Sequence, residues 1–497
     1  MKMAFRYILI VLIMITLLGT VFSRLEAQSY HALNGSAYSG VLSNFVNPAS
    51  SVNTPFQMDY SIFGFQTNNS NNGIVVKNLT KANLTPKNIN NITYQPTIGS
   101  GSRTIDDNSD VHLFNIRYSL DEIQSVNFGM RLRTYNHIWA SPFDYNPTIR
   151  DFNSFLSYNS GNSSRPFNMN VINAAWAETN FGYSRILTDN EDYRLSVGGT
   201  LQILRGLSGV GLALNDVTYQ SLPNRNVITS ASMTSIYSAN YSAMDTQYSA
   251  MQNLHRFRAA AKFGIGASIG VEYIVKKNVF DEPYSPQNYY WKFGASIMDI
   301  GSNNFNTIQY SFNVNTPKNG LTDTAIINRL HSPYDSVSNL TNILWQTFDK
   351  GSHLKSTNSK FKISLPTRLV LTVDKSLGND FYVNLMGNIN FYSQEITNAF
   401  RMKTADLNRL ILTTRWETDK WGIYIPLEYT ENNKILIGGA VKLGPLVVGL
   451  HNINWLQHSR LEEFEGGGYL ALHFTPSLKK RHHYLDCFDG TYSDKSE

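Results

Sequence analysis

The chain has a single cysteine, Cys487, in 497 residues, so no disulfide within it can hold a fold together. Charged residues make up 16%, below the roughly one quarter usual in soluble domains. No Gly-, Pro- or Ser-rich linker divides the chain into the two or three domains that its length would otherwise suggest. After residue 22 no apolar run approaches the roughly twenty residues that a membrane helix needs. Motifs for chemistry are lacking as well: there is no His-Glu-x-x-His helix and no glycine-rich phosphate loop. Strong positive charge is also missing. The formal charge of +5 becomes +3 without residues 1–27, because Lys2, Arg6 and Arg24 leave with Glu26, 5 − (3 − 1), and that is too little to imply nucleic acid.

What is present is aromatic side chains, at 12%, and alternation. From Phe257 to Tyr273, residues Phe257, Phe263, Ile265, Ile269, Val271 and Tyr273 fall on one face, and Arg258, Lys262, Ser268 and Glu272 on the other. A period of two means a strand, read here as 256–274. The same pattern places strands near 56–65, 111–120, 125–135, 174–187, 193–205 and 289–299. The second half gives 363–374, 380–391, 408–417, 421–429, 435–443, 446–451 and 467–474. The connections between these strands alternate in length. Those after odd-numbered strands (66–110, 136–173, 206–255, 300–362, 392–407, 430–434 and 452–466) are mostly long and Asn-rich. Those after even-numbered ones are mostly turns such as Gly378-Asn379 and Gly444-Pro445.

A sheet with two unlike rims is what an outer-membrane barrel has, with short periplasmic turns and long outer loops. The expected fold is therefore all-β, a transmembrane antiparallel β-barrel of about 14 strands spanning 56–474. A surface β-sandwich would also give strands and Asn-rich loops, but it has no reason to segregate long and short connections. Lys2 and Arg6 before the apolar run Tyr7 to Phe22, with Ala27 at a cleavage position, read as a signal peptide over 1–27. With an even strand count both termini lie in the periplasm, and 475–497 is a polar C-terminal tail.

Ala27-Gln28, the Gly-containing segment through Gly40, and Asn47-Pro48-Ala49 resemble the start of plugged barrels of the long-chain fatty-acid transporter (FadL) type. More closely they resemble an uncharacterised family of Bacteroidetes outer-membrane barrels. Trp291-Lys292-Phe293-Gly294, Asp299-Ile300-Gly301 and Leu365-Pro366-Thr367 continue the likeness. The resemblance implies a fourteen-stranded wall and an N-terminal hatch over 28–55, with Gly40, Asn47, Pro48 and Ala49 inside it. Proline fixes one dihedral and asparagine bonds its neighbouring backbone, which suits a compact turn.

Charges on the polar strand faces are the candidate site: Arg131, Arg133, Arg194, Arg258, Lys262, Glu272, Lys292, Arg368 and Asp374. Facing lipid each would cost several kcal/mol near the midplane, so they are placed in the lumen or at its rims. There they bind the hatch, line a route for a solute, or simply brace a polar interior. Tyr135, Trp139, Phe143 and Tyr145 are assigned to a landing surface for ligands or an interfacial girdle. His482, His483, Asp486 and Cys487 are read as a solvated tail, since their tight spacing suits a tetrahedral metal poorly. No catalytic set, metal or cofactor is expected. The expected partners are outer-membrane lipid and a hydrophobic small-molecule ligand. The expected function is passive uptake of hydrophobic or amphipathic small molecules. The alternative is a non-transport scaffold displaying 206–255 and 300–362 to a surface or secretion partner protein.

Overall fold

The computed structural model describes residues 30–77, 93–97, 101–142, 166–222, 225–240, 249–277, 287–307, 312–314, 360–392, 401–453 and 465–478. One sheet closes on itself. Fourteen antiparallel strands make its wall: β1 Phe56–Asn71, β2 Arg103–Ser119, β3 Gln124–Ala140, β4 Phe167–Asp189, β5 Tyr193–Leu222, β6 Phe263–Lys276 and β7 Tyr289–Asn306. β8 is Arg368–Gly378, β9 Phe381–Asn390, β10 Arg409–Glu417 and β11 Trp421–Thr430. β12 is interrupted, as Ile435–Ile437 and Gly439–Leu443, and is followed by β13 Leu446–Leu450 and β14 Gly466–Leu478. Each strand pairs with the next, and β14 returns to β1, with Tyr60 opposite Phe474. Closure leaves no unpaired edge, the condition for a sheet in lipid. No helix among the described residues is long and apolar enough to cross a membrane.

Alternation decides which face meets lipid. In β11, Trp421, Ile423, Ile425, Leu427 and Tyr429 are exposed, while Tyr424, Pro426, Glu428 and Thr430 are buried. In β6, Ile265, Ile269, Val271 and Tyr273 point out, and Ser268 and Glu272 point in. An outward apolar belt over a polar, charged interior inverts the arrangement of a soluble domain and is that of a membrane barrel.

Several boundaries differ from the sequence reading. The strand expected over 256–274 begins only at Phe263, because Ala250–Ala260 is an α-helix started by a capping box between Ser249 and Gln252. Phe257 and Arg258 are thus helical, and Arg258 is exposed rather than lumen-facing. Lys262 is half-buried just ahead of the strand, its carbonyl accepting the Gly206 N–H at 3.2 Å. The stretch 206–255, expected to be a loop, continues β5 to Leu222 and turns back as a strand over Arg225–Tyr237. Backbone pairing beyond the belt needs no apolar outer face, so the alternation that marks a wall strand fades there. The last strand runs to Leu478, into the stretch read as tail. Residues 1–29 and 479–497, with the signal and the His482 to Cys487 cluster, lie outside the described residues.

Candidate functional site

Between Tyr30 and Thr54 the chain makes three short 3-10 turns, His31–Leu33, Gly40–Phe45 and Pro48–Val52. Nearly all of its side chains are buried against the inward face of the wall, in the half nearest the short turns. Asn47 starts the last turn. Its side-chain oxygen accepts the Ala49 N–H at 3.0 Å and its amide donates to the Val271 carbonyl at 2.9 Å, with Pro48 at the first position. This is the local chemistry expected of an Asn-Pro pair.

The wall makes room for this segment and holds it. A Cβ on Gly198 would fall 2.5 Å from the backbone carbon of Pro48, and one on Gly40, at φ +52, would fall 2.2 Å from Asp59 Oδ2. Glycine alone permits both approaches. Glu272 of β6 accepts from Ser50 Oγ at 2.5 Å and from Asn53 Nδ2 at 2.7 Å. Lys292 Nζ donates to the Gly35 carbonyl at 3.0 Å, and Arg415 to Gly35 and Asn34 at 3.2 and 3.4 Å. Ser36 Oγ donates to Glu417 at 2.6 Å. Asp59 accepts the Val41 N–H at 2.5 Å while pairing with Arg117 at 2.5 Å and His473 at 3.1 Å. Tyr30, Leu33, Val41 and Leu42 pack with Tyr424, Val447 and Tyr469. Burial raises the Tyr30 phenol and pushes that of Tyr38 up to about 12, so both stay neutral. A cavity of about 30 Å³ lies between segment and wall, bordered by Tyr30, Phe45, Asn47, Glu272 and Lys292.

A second layer lies at mid-height. β7 carries a bulge in which Asp299 adopts φ 57 and Gly301 φ 152, and the register against β6 shifts between Ile297 and Ile300. The extra residue turns the Asp299 carboxylate inward. It meets Arg133 at 2.9 Å, Arg368 at 2.5 Å, Arg131 at 3.5 Å and the amide of Gln202 at 2.8 Å. Arg131 and Arg133 also reach Glu178, at 2.6 and 3.4 Å, and Asp110, at 3.6 and 3.3 Å. The Arg131 guanidinium lies 4.7 Å from the Phe45 ring, which ties this layer to the leading segment. Beside it Trp176, Leu204, Phe305, Phe361 and Ile363 form an apolar cluster.

At the opposite end, towards the long connections, a cavity of about 430 Å³ is bordered by Asp106, His137, Trp139, Asp406 and Glu431. Among the described residues no group of His, Cys, Asp and Glu is arranged to hold a metal.

The structure thus brings Arg131, Arg133 and Arg368 into one network, and sets Glu272 and Lys292 against the leading segment. Asp374 accepts from Arg415 at 2.5 Å. Arg194 lies at the short-turn rim on Asp189, 2.7 Å away. Arg258 and Lys262 belong to neither layer. Tyr135 is fully buried and stacks on Trp176, so it faces the interior rather than a landing surface or girdle, and Phe143 and Tyr145 lie outside the described residues. Sequence reading missed Asp59, Asp110, Glu178, Arg415, Glu417 and His473. Asp59 and Arg415 stood on the polar phase of their strands and were legible by the same rule, while Asp299 was hidden by the bulge.

A family model matches residues 48–450. The chain belongs to DUF5723, a family of unknown function. No curated protein matches its sequence. Among solved structures, this DUF5723 member is similar to a Pseudomonas aeruginosa FadL homologue, at 8% identity and TM-score 0.40, covering 90% of this chain and 97% of that one. It is also similar to a mutant of the TodX monoaromatic hydrocarbon channel, at 8% identity and TM-score 0.26, covering 89% and 95%. A further similarity is to the outer-membrane protease OmpT of Escherichia coli, at 7% identity and TM-score 0.20, covering 84% and 94%.

Proposed function

We propose that the protein is a stoppered outer-membrane channel that passively admits hydrophobic or amphipathic small molecules, with residues 28–55 as its hatch and both termini in the periplasm. One observation carries this reading: the leading segment is seated against the wall by hydrogen bonds to charged wall side chains and by no covalent link. Such contacts, each to a charged group and worth about 1.5–3 kcal/mol, can be exchanged one by one for water or for a displacing group. The role is passage, with no bond made or broken.

Conductance in planar lipid bilayers tests the reading. Wild-type protein is expected to stay mostly closed and a Gln28–Pro55 deletion to conduct. A deletion variant that folds but stays closed overturns the reading. That outcome favours the second one, a sealed scaffold, which draws on the mid-height ion network and on the hairpin of β5 with Arg225–Tyr237 beyond the wall.

A further inference from the structure

Past the edge of the apolar belt, on the side of the long connections, the outward face of one sector of the wall turns cationic. The registers set Arg205 of β5 opposite Phe263 of β6, and Lys362 opposite both Asn304 of β7 and Arg401. Asn304 Nδ2 donates to the Phe263 carbonyl at 2.6 Å, which joins these positions into one row from β5 to the short strands Lys360–Ser364 and Arg401–Lys403. Phe361, Ile363 and Met402 are buried in the apolar cluster on the inner side, so the two-residue period turns Lys360, Lys362, Arg401 and Lys403 outward. Arg205, Arg258, Lys360, Lys362 and Arg401 are exposed. Arg205 donates to the Arg258 carbonyl at 3.2 Å, which brings the end of the Ala250–Ala260 helix to the same rim.

The strip is uncompensated. Among the described residues no carboxylate forms an ion pair with any of these cations, whereas at the opposite rim Arg194 and Lys276 share Asp189. Lys362 and Arg401 occupy directly paired positions, about 5 Å apart, with Lys360 and Lys403 one step along the same face. Like charges so placed repel, and an anion shared between them removes the repulsion. The strip also borders lipid. Ile265 and Ile300, one and two steps nearer the midplane, are 66% and 42% exposed, and Lys403 Nζ lies 5.1 Å from the Tyr392 ring centroid. Cations beside aromatic rings mark the level where acyl chains give way to headgroups. A soluble anion would use the charges alone, while a phosphorylated lipid uses the charges and the belt together.

We propose that this strip binds the phosphorylated headgroup of a membrane lipid, with a phosphate among Lys360, Lys362, Arg401 and Lys403 and the acyl chains running down the belt past Ile300 and Leu371. Arg205 and Arg258 extend the same surface along the rim. That the lipid belongs to the outer leaflet rests on the orientation proposed above, but the binding chemistry does not.

Native mass spectrometry of the full-length protein in a neutral detergent tests this with phosphatidic acid, the diacylglycerol of identical acyl chains, and inorganic phosphate as competitor. Phosphatidic acid is expected to bind at least about tenfold more tightly than the diacylglycerol, to weaken as salt is raised, and to resist displacement by inorganic phosphate at matched ionic strength. The double variant Lys362→Gln, Arg401→Gln is expected to weaken phosphatidic acid about fivefold or more, with folding checked by heat-modifiable gel mobility. Arg185→Gln, which removes an exposed cation at the short-turn rim, is expected to leave binding unchanged. Equal binding of the two lipids, displacement by inorganic phosphate, a folded double variant that binds as wild type, or an equal loss in Arg185→Gln would each overturn the proposal. These outcomes leave the channel reading standing, and a hatch deletion that stays closed would sink that reading and leave this one.

Discussion

Asp59 shows how much one carboxylate does here. It has no exposure, yet it pairs with Arg117, lies 3.1 Å from His473 Nε2 and accepts a backbone N–H from the leading segment. Removing one partner of a buried ion pair leaves the others uncompensated, at about 3–5 kcal/mol. Asp59→Asn is therefore expected to lower stability by that order, read as a reduced urea midpoint for unfolding in lipid vesicles. Asp299→Asn is expected to cost at least as much, since three arginines converge on it. Gly198→Val addresses space rather than charge. Its side chain collides with the Pro48 backbone, and overpacking costs about 1–3 kcal/mol, so the segment is expected to be displaced and protease to cut between Tyr30 and Thr54 faster than in wild type. Individual charges were readable because a two-residue period states which way each side chain points. Their partners were not, since Asp59 and His473 are 414 positions apart and meet only on closure. Asp299 was not readable either, because a bulge breaks the count that the period relies on.

At the scale of elements, the leading segment behaves as an inserted piece gripped at several points. Asn47 is both the cap of its last turn and its strap to β6, and loss of such a cap costs about 1 kcal/mol. Asn47→Ala combined with Ser50→Ala is expected to leave the wall intact and raise the frequency of channel openings several-fold in single-channel recordings. The wall strands were legible wherever they cross lipid, where outer apolar and inner polar positions must alternate. Their continuations past the belt were not, because β5 beyond residue 205 is fixed by its pairing with Arg225–Tyr237. The helix at Ala250–Ala260 shows the converse error. Phe257 and Arg258 fit the phase of the strand that follows, but the Ser249 and Gln252 capping box commits them to a helix first.

For the whole molecule, the outward belt decides the environment. Ile425 stands at the middle of β11 on the exposed face. Ile425→Lys is expected to cost about 2–4 kcal/mol of folding stability in lipid vesicles, whereas a protein standing in water would gain solubility and lose little. The same urea titration reads the difference.

The triple attachment of Asp59 has a temporal side. Its partners come from the second strand, from the last strand and from the segment ahead of the first. A nascent chain lacking Gly466–Leu478 therefore has no complete berth for its own beginning, which implies an order of biogenesis: the seam zips first, and the amino-terminal stretch settles last.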